Sequence, residues 1–258
     1  MDIPEDTASV RLQVTGPVAT VTMAHVARRN ALTTAMLDQL EDILTTVQQD
    51  RSIRIVVLTG AGNDFSAGMD IRGLRSARER GVELEHRMTA AEERLAAFPK
   101  PTVAAVEGYC VGGGMQLALA CDLRLASEGA RFGVTPAKLG IVYPPRTVAR
   151  LVRILGPAAA KRLVFTAELI DADAALRIGL VDELTPSGTL AARATELAHL
   201  VSTRSAISLA AAKEMIDAAS GSGIDDVLKQ KWAQRANPDV TEGLGAFLTC
   251  RAPRFSDW

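Results

Sequence analysis

The feature that most constrains the fold is a repeated unit in which a continuous apolar run leads to a glycine-rich turn and then to a helix. The apolar runs are residues 53–58, in which Arg54 is the one charged residue, and 103–106, and the turns that follow them are residues 65–70 and 112–116. Continuous apolar runs of this length are typical of strands buried on both faces. The repeated order of strand, turn, helix and strand predicts an α/β architecture with right-handed crossovers.

The remaining segments extend this prediction along the chain. Residues 10–14 and 18–23 are rich in β-branched residues on either side of Gly16-Pro17, which predicts a β-hairpin. A helix is predicted after Thr33 or Thr34, either of which can cap it. Further helices are predicted at residues 76–97, 115–120, 158–166, 171–178, 190–202, 206–219, 224–237 and 241–249, and a further strand at residues 123–126.

Composition excludes several classes of protein. The 258 residues are 48% hydrophobic, so the chain can bury a sizeable core, and a formal charge of −1 argues against a nucleic-acid or membrane surface. Aromatic residues are only 4%, which argues against platforms for base stacking. We therefore expect no nucleic-acid partner and either a small-molecule enzyme or an interaction protein.

The cysteines and histidines predict reduced thiols and no metal site, and the apolar stretches predict no membrane-spanning segment. The chain has three cysteines in no CxxC spacing, and its three histidines form no ligand pair. Residues 1–9 lack the features of a signal peptide, and the apolar stretch at 109–121 is too interrupted to span a bilayer. We expect a cytoplasmic protein with no metal site.

The two glycine-rich turns together suggest chemistry. The first N–H groups of a helix have no internal partner, and glycine allows a ligand to approach the backbone closely. Two such turns on neighbouring strands can direct two N–H groups at one oxygen, which suits a thioester carbonyl that becomes an enolate. One turn alone is explained by a glycine-permitted tight turn, so the hypothesis depends on the pair.

Other glycine motifs do not fit. The dinucleotide fingerprint GxGxxG begins at Gly60 but meets Phe65 where its third glycine belongs. The GxSxG nucleophile elbow around Ser66 meets Asp64 where its first glycine belongs. Neither turn has the GKS or GKT of a phosphate-binding loop.

Over nearly its whole length the chain resembles the enoyl-CoA hydratase/isomerase (crotonase) family. The stretches that carry the resemblance are residues 29–32, 56–60, 65–71, 112–116, 121–123, 132–133, 174–181 and 242–255. The resemblance implies a crotonase-like spiral of ββα units with a helical C-terminal region. It implies that residues 1–200 form the core with CoA and the active site, and that residues 201–258 serve oligomerisation as a homotrimer or a dimer of trimers.

The same resemblance implies an acyl-CoA substrate, no cofactor beyond its CoA moiety, and two backbone donors to the thioester oxygen. Those donors are the N–H groups of Met69 and Gly113. The residues implied in CoA binding are Arg28, Arg29, Ala31, Ala67, Gly68, Asp70, Ile71 and Gly112. Arg28 and Arg29 would lie near the CoA phosphates, although a solvated surface pair explains them equally well. Arg251 stands where hydratases have a CoA-holding lysine from a neighbouring subunit.

The sequence departs from the hydratase pattern at both catalytic glutamates. One position is Gln116 and the other is Pro136. Hydration needs one group that deprotonates water and one that protonates carbon, and neither an amide nor a proline does this near neutral pH. Gln116 lies three residues after Gly113, on the same helix face, where it could hydrogen-bond water or substrate.

The loop that follows residue 134 is similar to that of methylmalonyl-CoA decarboxylases of the same superfamily, which makes Thr135 and Tyr143 candidate site residues. Loss of carbon dioxide from a malonyl-type thioester needs an oxyanion hole but no carboxylate. Three hypotheses remain open. They are a hydratase or isomerase with a modified site, an acyl-CoA decarboxylase, and a non-catalytic homologue that binds CoA or a partner.

Overall fold

The computed structural model describes residues 7–73, 75, 85–221 and 223–256. Its strands are β1 (Ser9–Thr15), β2 (Val18–Ala24), β3 (Ile55–Gly60), β4 (Thr102–Val106), β5 (Tyr109–Val111), β6 (Leu123–Ser127), β7 (Arg131–Gly133), β8 (Leu169–Asp171) and β9 (Glu183–Thr185). Its helices of six residues or more are α1 (Thr34–Gln49), α2 (Glu85–Ala96), α3 (Gly113–Ala120), α4 (Pro145–Thr166), α5 (Ala172–Arg177), α6 (Leu190–Ser202), α7 (Ala206–Ala219), α8 (Asp226–Ala233) and α9 (Asp239–Leu248).

The main sheet has six strands in the order β1-β2-β3-β4-β6-β9. β1 and β2 form the predicted antiparallel hairpin, and every other neighbouring pair in this sheet is parallel. All five residues of β4 are buried, which agrees with its continuous apolar sequence. The α/β architecture predicted from the sequence is confirmed.

A second, three-stranded sheet was not predicted from the sequence. It has the order β5-β7-β8, with β5 parallel to β7 and β7 antiparallel to β8. Each of these strands has only three residues, too few to show an alternation of apolar and polar side chains. The pairing partners, not local periodicity, hold these segments extended.

The helices agree with the prediction in place and differ in extent. Thr33 is the cap of α1, where its Oγ1 accepts a hydrogen bond from the N–H of Met36 at 3.2 Å. α4 begins at Pro145, well before the predicted start at residue 158, because a proline in the first helical turn loses no hydrogen bond. Gly156 has a φ of 73° inside α4 and marks a kink just before the predicted helix start at residue 158. Of the helix predicted at 76–97, residues 76–84 lie outside the described residues.

The sheet is covered on both faces, as parallel sheets require. The larger hydrophobic cluster joins the sheet to α1, α2 and α3, and includes Leu44, Leu58 and Leu119. The smaller cluster lies on the other face beneath α6, where Val103 packs with Ala198. The two glycine turns lie on the side of the larger cluster, so a dense core supports them.

The C-terminal helices are joined to the sheet by polar contacts. The Arg54 guanidinium donates to the backbone oxygens of Arg204 (2.6 Å) and Ser256 (2.7 Å), and Lys213 pairs with Asp122 at 2.8 Å.

Among the described residues, no helix is long and apolar enough to cross a membrane, and no cluster of His, Cys, Asp and Glu could hold a metal ion. The division at residue 200 and its role in oligomerisation stay predictions.

Candidate active site

The first glycine turn runs directly beside β5, which leads into the second. The N–H of Ser66 donates to the oxygen of Tyr109 at 2.8 Å, and the N–H of Val111 donates to the oxygen of Ser66 at 3.0 Å. These two bonds align the first turn with the end of β5. The tertiary structure therefore brings the two predicted turns together.

Only glycine permits so close an approach of the two turns. Gly68 has a φ of 96°, and a Cβ atom on it would lie 2.9 Å from the oxygen of Val111. A Cβ atom on Gly114 would lie 2.6 Å from the oxygen of Ser66. A side chain at either position would force the backbones apart, because real Cβ atoms do not come within 3.0 Å of such atoms.

Two buried polar side chains hold the first turn in place. Asn30 is fully buried, and its Nδ2 donates to the backbone oxygens of Ala61 (2.8 Å) and Asp64 (2.6 Å). The Ser66 hydroxyl donates to the oxygen of Asn30 at 2.8 Å and accepts from the N–H of Gly68 at 3.2 Å. Each buried polar group is satisfied, which makes the turn rigid.

The N–H groups of Met69 and Gly113 lie next to each other, and neither is paired within the part of the chain that the structure describes. Gly113 is the first residue of α3, so its N–H has no acceptor within the helix. Neither N–H donates a hydrogen bond to another group within residues 7–73, 75, 85–221 and 223–256. A Cβ atom on Gly113 would lie 3.3 Å from the Met69 nitrogen, so the two backbone nitrogens lie close together.

Met69 and Gly113 both line a pocket of about 130 Å³. The sequence-predicted residues that line it are Ala67, Gly68, Met69, Ile71, Gly112, Gly113, Gln116, Thr135 and Tyr143. The further lining residues are Met88, Pro136, Leu139, Ile141, Val142 and Pro144. The structure thus brings all five predicted catalytic residues to one pocket, and no aspartate or glutamate lines it among the described residues.

Tyr143 is held by the second glycine turn. Its phenol O–H donates to the backbone oxygen of Gly112 at 3.0 Å. Burial raises the pKa of this phenol, and the negative charge of Glu92 raises it further. Tyr143 therefore keeps its proton at neutral pH.

Gln116 contacts a buried carboxylate that the sequence reasoning missed. Its Nε2 donates to the Glu92 carboxylate at 3.2 Å and to the Thr147 hydroxyl at 3.1 Å. Glu92 has no exposed surface and pairs with Arg150. Burial raises the pKa of Glu92, against the lowering effects of Thr147 and Arg150.

A signal for Glu92 is present in the sequence, although it is weak. Met88, Glu92 and Leu95 have helical spacing, and the structure buries all three. An acid inside an apolar stripe is often a buried, paired group. Its partners could not be identified from the sequence, because Thr147 and Arg150 lie in a segment where no helix was predicted.

The residues predicted to bind the CoA phosphates lie outside the pocket lining. Arg28 pairs with Asp70 at 3.4 Å, and Arg29 lies 3.9 Å from Asp64 with its guanidinium carbon 4.3 Å from the centre of the Tyr109 ring. Both arginines are partly exposed beside the first glycine turn. Their role in CoA binding stays a prediction.

Three other predicted residues have structural contacts. The Asp70 carboxylate accepts from the N–H of Arg72 at 3.2 Å, and Ala31 is buried with its backbone oxygen 3.0 Å from the His25 ring. Arg251 makes two hydrogen bonds to Glu242, at 2.6 and 2.8 Å. The roles of these residues toward CoA also stay predictions.

Comparison with known proteins agrees with this geometry. The sequence model of the family described as enoyl-CoA hydratase/isomerase matches residues 13–257. The chain belongs to the enoyl-CoA hydratase/isomerase family. A relative from Thermus thermophilus, named as an enoyl-CoA hydratase, is 40% identical to this chain over 249 residues, which cover 93% of this chain and 98% of the relative. The 2,3-dehydroadipyl-CoA hydratase of Escherichia coli is 35% identical over 92% of this chain and 94% of its own length.

The solved structures support the same assignment. An enoyl-CoA hydratase/carnithine racemase from Magnetospirillum magneticum has a TM-score of 0.90 at 31% identity, over 96% of this chain and 95% of that one. The crotonase fold predicted from the sequence is therefore confirmed. As an enoyl-CoA hydratase/isomerase family member, the protein is an acyl-CoA enzyme of the lyase or isomerase type.

Proposed function

We propose that this enzyme stabilises the enolate of an acyl-CoA thioester between the N–H groups of Met69 and Gly113. The observation that carries the proposal is that Met69 and Gly113 both line the pocket and that neither N–H has a hydrogen-bond acceptor among the described residues. Two such donors match the developing charge on a thioester oxygen. The Gly113 donor also benefits from the positive end of the α3 dipole.

The reaction that we favour is hydratase- or isomerase-like, in a site where both usual glutamates are replaced. Family membership and the E. coli hydratase relative support an enoyl-CoA substrate. Gln116 and Pro136, which the family resemblance assigns to the two glutamate positions, both line the pocket. Acid–base work would then depend on water and on groups such as the Tyr143 phenol.

Decarboxylation of a malonyl-type thioester is the second candidate. The specific observation in its favour is that the lining contains no aspartate or glutamate among the described residues, so a substrate carboxylate would meet no like charge. Thr135 and Tyr143 line the same pocket and can contact the acyl part. The enolate left by loss of carbon dioxide needs the same two backbone donors.

The proposal includes CoA bound along residues 67–71 and assembly as a homotrimer or a dimer of trimers. Exposed apolar side chains on the C-terminal helices support assembly, because large exposed apolar surfaces mark interaction sites. They are Ile216, Val227, Val240, Leu244, Phe247 and Leu248. Light scattering on the purified protein tests this part of the proposal.

The first experiment is mass spectrometry of crotonyl-, 3-enoyl-, longer enoyl- and methylmalonyl-CoA after incubation with the protein. Gain of water or a shifted double bond supports the hydratase or isomerase reaction. Loss of carbon dioxide from methylmalonyl-CoA alone supports the decarboxylase. No turnover together with retained CoA binding would contradict both enzymatic candidates in favour of a non-catalytic homologue.

The oxyanion hole is tested by comparing Gly113→Pro with Gly113→Ala. Both variants add a Cβ atom, but only proline removes the N–H, and proline is compatible with the first helical position. We expect the proline variant to lose roughly 10²-fold more turnover than the alanine variant. Equal turnover in the two variants would contradict a role of the Gly113 N–H in stabilising the enolate.

A further inference from the structure

The direction of the Gln116 amide is determined by its buried neighbours. The Thr147 hydroxyl donates to the Glu92 carboxylate at 2.6 Å, so Thr147 has only lone pairs left for Gln116. A carboxylate paired with an arginine also only accepts hydrogen bonds. Both neighbours therefore require the NH2 end of Gln116, and its Nε2 meets them at 3.1 and 3.2 Å.

Glu92 is itself held firmly. Arg150 donates to the second carboxylate oxygen of Glu92. It also donates to the Glu93 carboxylate, at 3.0 Å. Glu92 and Thr147 have no exposed surface, and Arg150 keeps only 8% of its own. Water cannot compete for these bonds, so the network has one arrangement.

The consequence is that Gln116 presents its carbonyl oxygen to the pocket. Oε1 accepts no hydrogen bond from any described residue. This unpaired oxygen is nevertheless not sealed from solvent. Gln116 lines the pocket, so this free acceptor is open to whatever occupies it.

We propose that Glu92 is a positioning residue that directs the Gln116 carbonyl oxygen into the acyl pocket, where it selects thioesters that carry a hydroxyl group near the thioester carbon. This inference rests on the proposed function, because it places the acyl group in this pocket. A hydroxyl donates to Oε1. An acyl chain without one buries Oε1 without a partner, at the cost of a buried unsatisfied acceptor.

The test is the ratio of the Kd values of butyryl-CoA and 3-hydroxybutyryl-CoA, which differ by one hydroxyl group. Calorimetry gives each Kd, and mass spectrometry corrects for any conversion. We expect the wild type to prefer the hydroxylated ligand by about tenfold, the worth of one hydrogen bond to a buried acceptor. Gln116→Leu removes the acceptor and should bring the ratio close to one.

Variants of Glu92 test positioning separately from the acceptor itself. Glu92→Gln no longer demands the NH2 end of Gln116, and Glu92→Asp withdraws the carboxylate while it keeps the charge for Arg150. Both should lower the ratio several-fold although Gln116 is intact. The aspartate variant carries the test if the glutamine variant does not fold.

Glu93→Gln is the matched control, because Glu93 shares Arg150 with Glu92 but does not contact Gln116. Its ratio should equal that of the wild type. A Kd ratio near one in the wild type, or an unchanged ratio in both Glu92 variants, would overturn this inference and leave the proposed function standing. Failure of both ligands to bind the wild type would instead overturn the proposed function.

Discussion

Gly68 and Gly113 meet backbone to backbone, and a Cβ atom on residue 68 would lie 3.1 Å from the nitrogen of Gly113. One of the two unpaired donors of the site is therefore packed against the turn that carries the other. The separation of the two donors depends on the absence of a side chain at residue 68. The two turns act as one rigid unit, and the first prediction follows from this contact.

Gly68→Ala should reduce turnover by on the order of 10²-fold, because small displacements of catalytic groups have effects of this size. The φ of 96° also makes alanine strained there, by about 1–3 kcal/mol of stability. Gly188→Ala is the control, since Gly188 has a φ of 81° but open space around it. If both variants lose turnover equally, strain and not the contact with Gly113 is responsible.

Asn30→Asp should destabilise the protein by about 3 kcal/mol, because a buried charge would face two backbone oxygens instead of donating to them. Those oxygens belong to Ala61 and Asp64. Urea unfolding measures the loss. The same change at the exposed Asn63 should cost less than about 0.5 kcal/mol. A small effect at Asn30 would contradict the hydrogen-bond assignment.

Arg150→Met should cost about 3–5 kcal/mol of stability, because it leaves Glu92 buried without its charge partner. Adding Glu92→Gln should recover part of that loss, as the unpaired charge is then gone. Arg146→Met removes an exposed pair with Glu93 and should cost at most about 1 kcal/mol. Additive losses in the double variant would contradict a coupled pair.

The last prediction concerns acid stability. Hydrogen bonds from Arg251, and then from the N–H of Arg254, lower the pKa of Glu242 from 4.5 to about 2. The folded state thus binds fewer protons than the unfolded state between these values, so the stabilisation is present above about pH 4.5 and is lost as the pH falls toward 2.

Glu242→Gln should accordingly be less stable than the wild type at pH 7, and the difference should shrink as the pH falls from 4.5 toward 2. Thermal unfolding across this range provides the measurement. Glu168→Gln changes an exposed carboxyl whose side chain has no hydrogen bond to the described residues, and it should follow the wild type. A difference that is constant with pH would rule out the Glu242 carboxylate as its source.

Much of the site could be predicted because its signals are local. The turn around Gly68 and the turn before Gly113 are visible as glycine patterns after apolar runs. Backbone donors depend on the helix start and on close approach, and both leave such a pattern. The prediction that Gln116 occupies the position of a hydratase glutamate likewise depends on a single residue.

The Gln116 environment could not be predicted in the same way. Glu92 is 24 positions from Gln116 and 55 from Thr147, and these three side chains meet only through the packing of α2, α3 and α4. The sequence alone predicts that Gln116 hydrogen-bonds water or substrate. The structure makes it one end of a buried network.

The sequence by itself determined the α/β class, the two glycine turns and the family, because periodicity, glycine and apolar runs act over a few neighbouring residues. Only the tertiary structure decided that Glu92 accepts a hydrogen bond from Gln116, that Tyr143 donates one to Gly112, and which three short strands pair in the second sheet. Contacts between distant residues depend on how helices and strands cross, and no local pattern records that geometry.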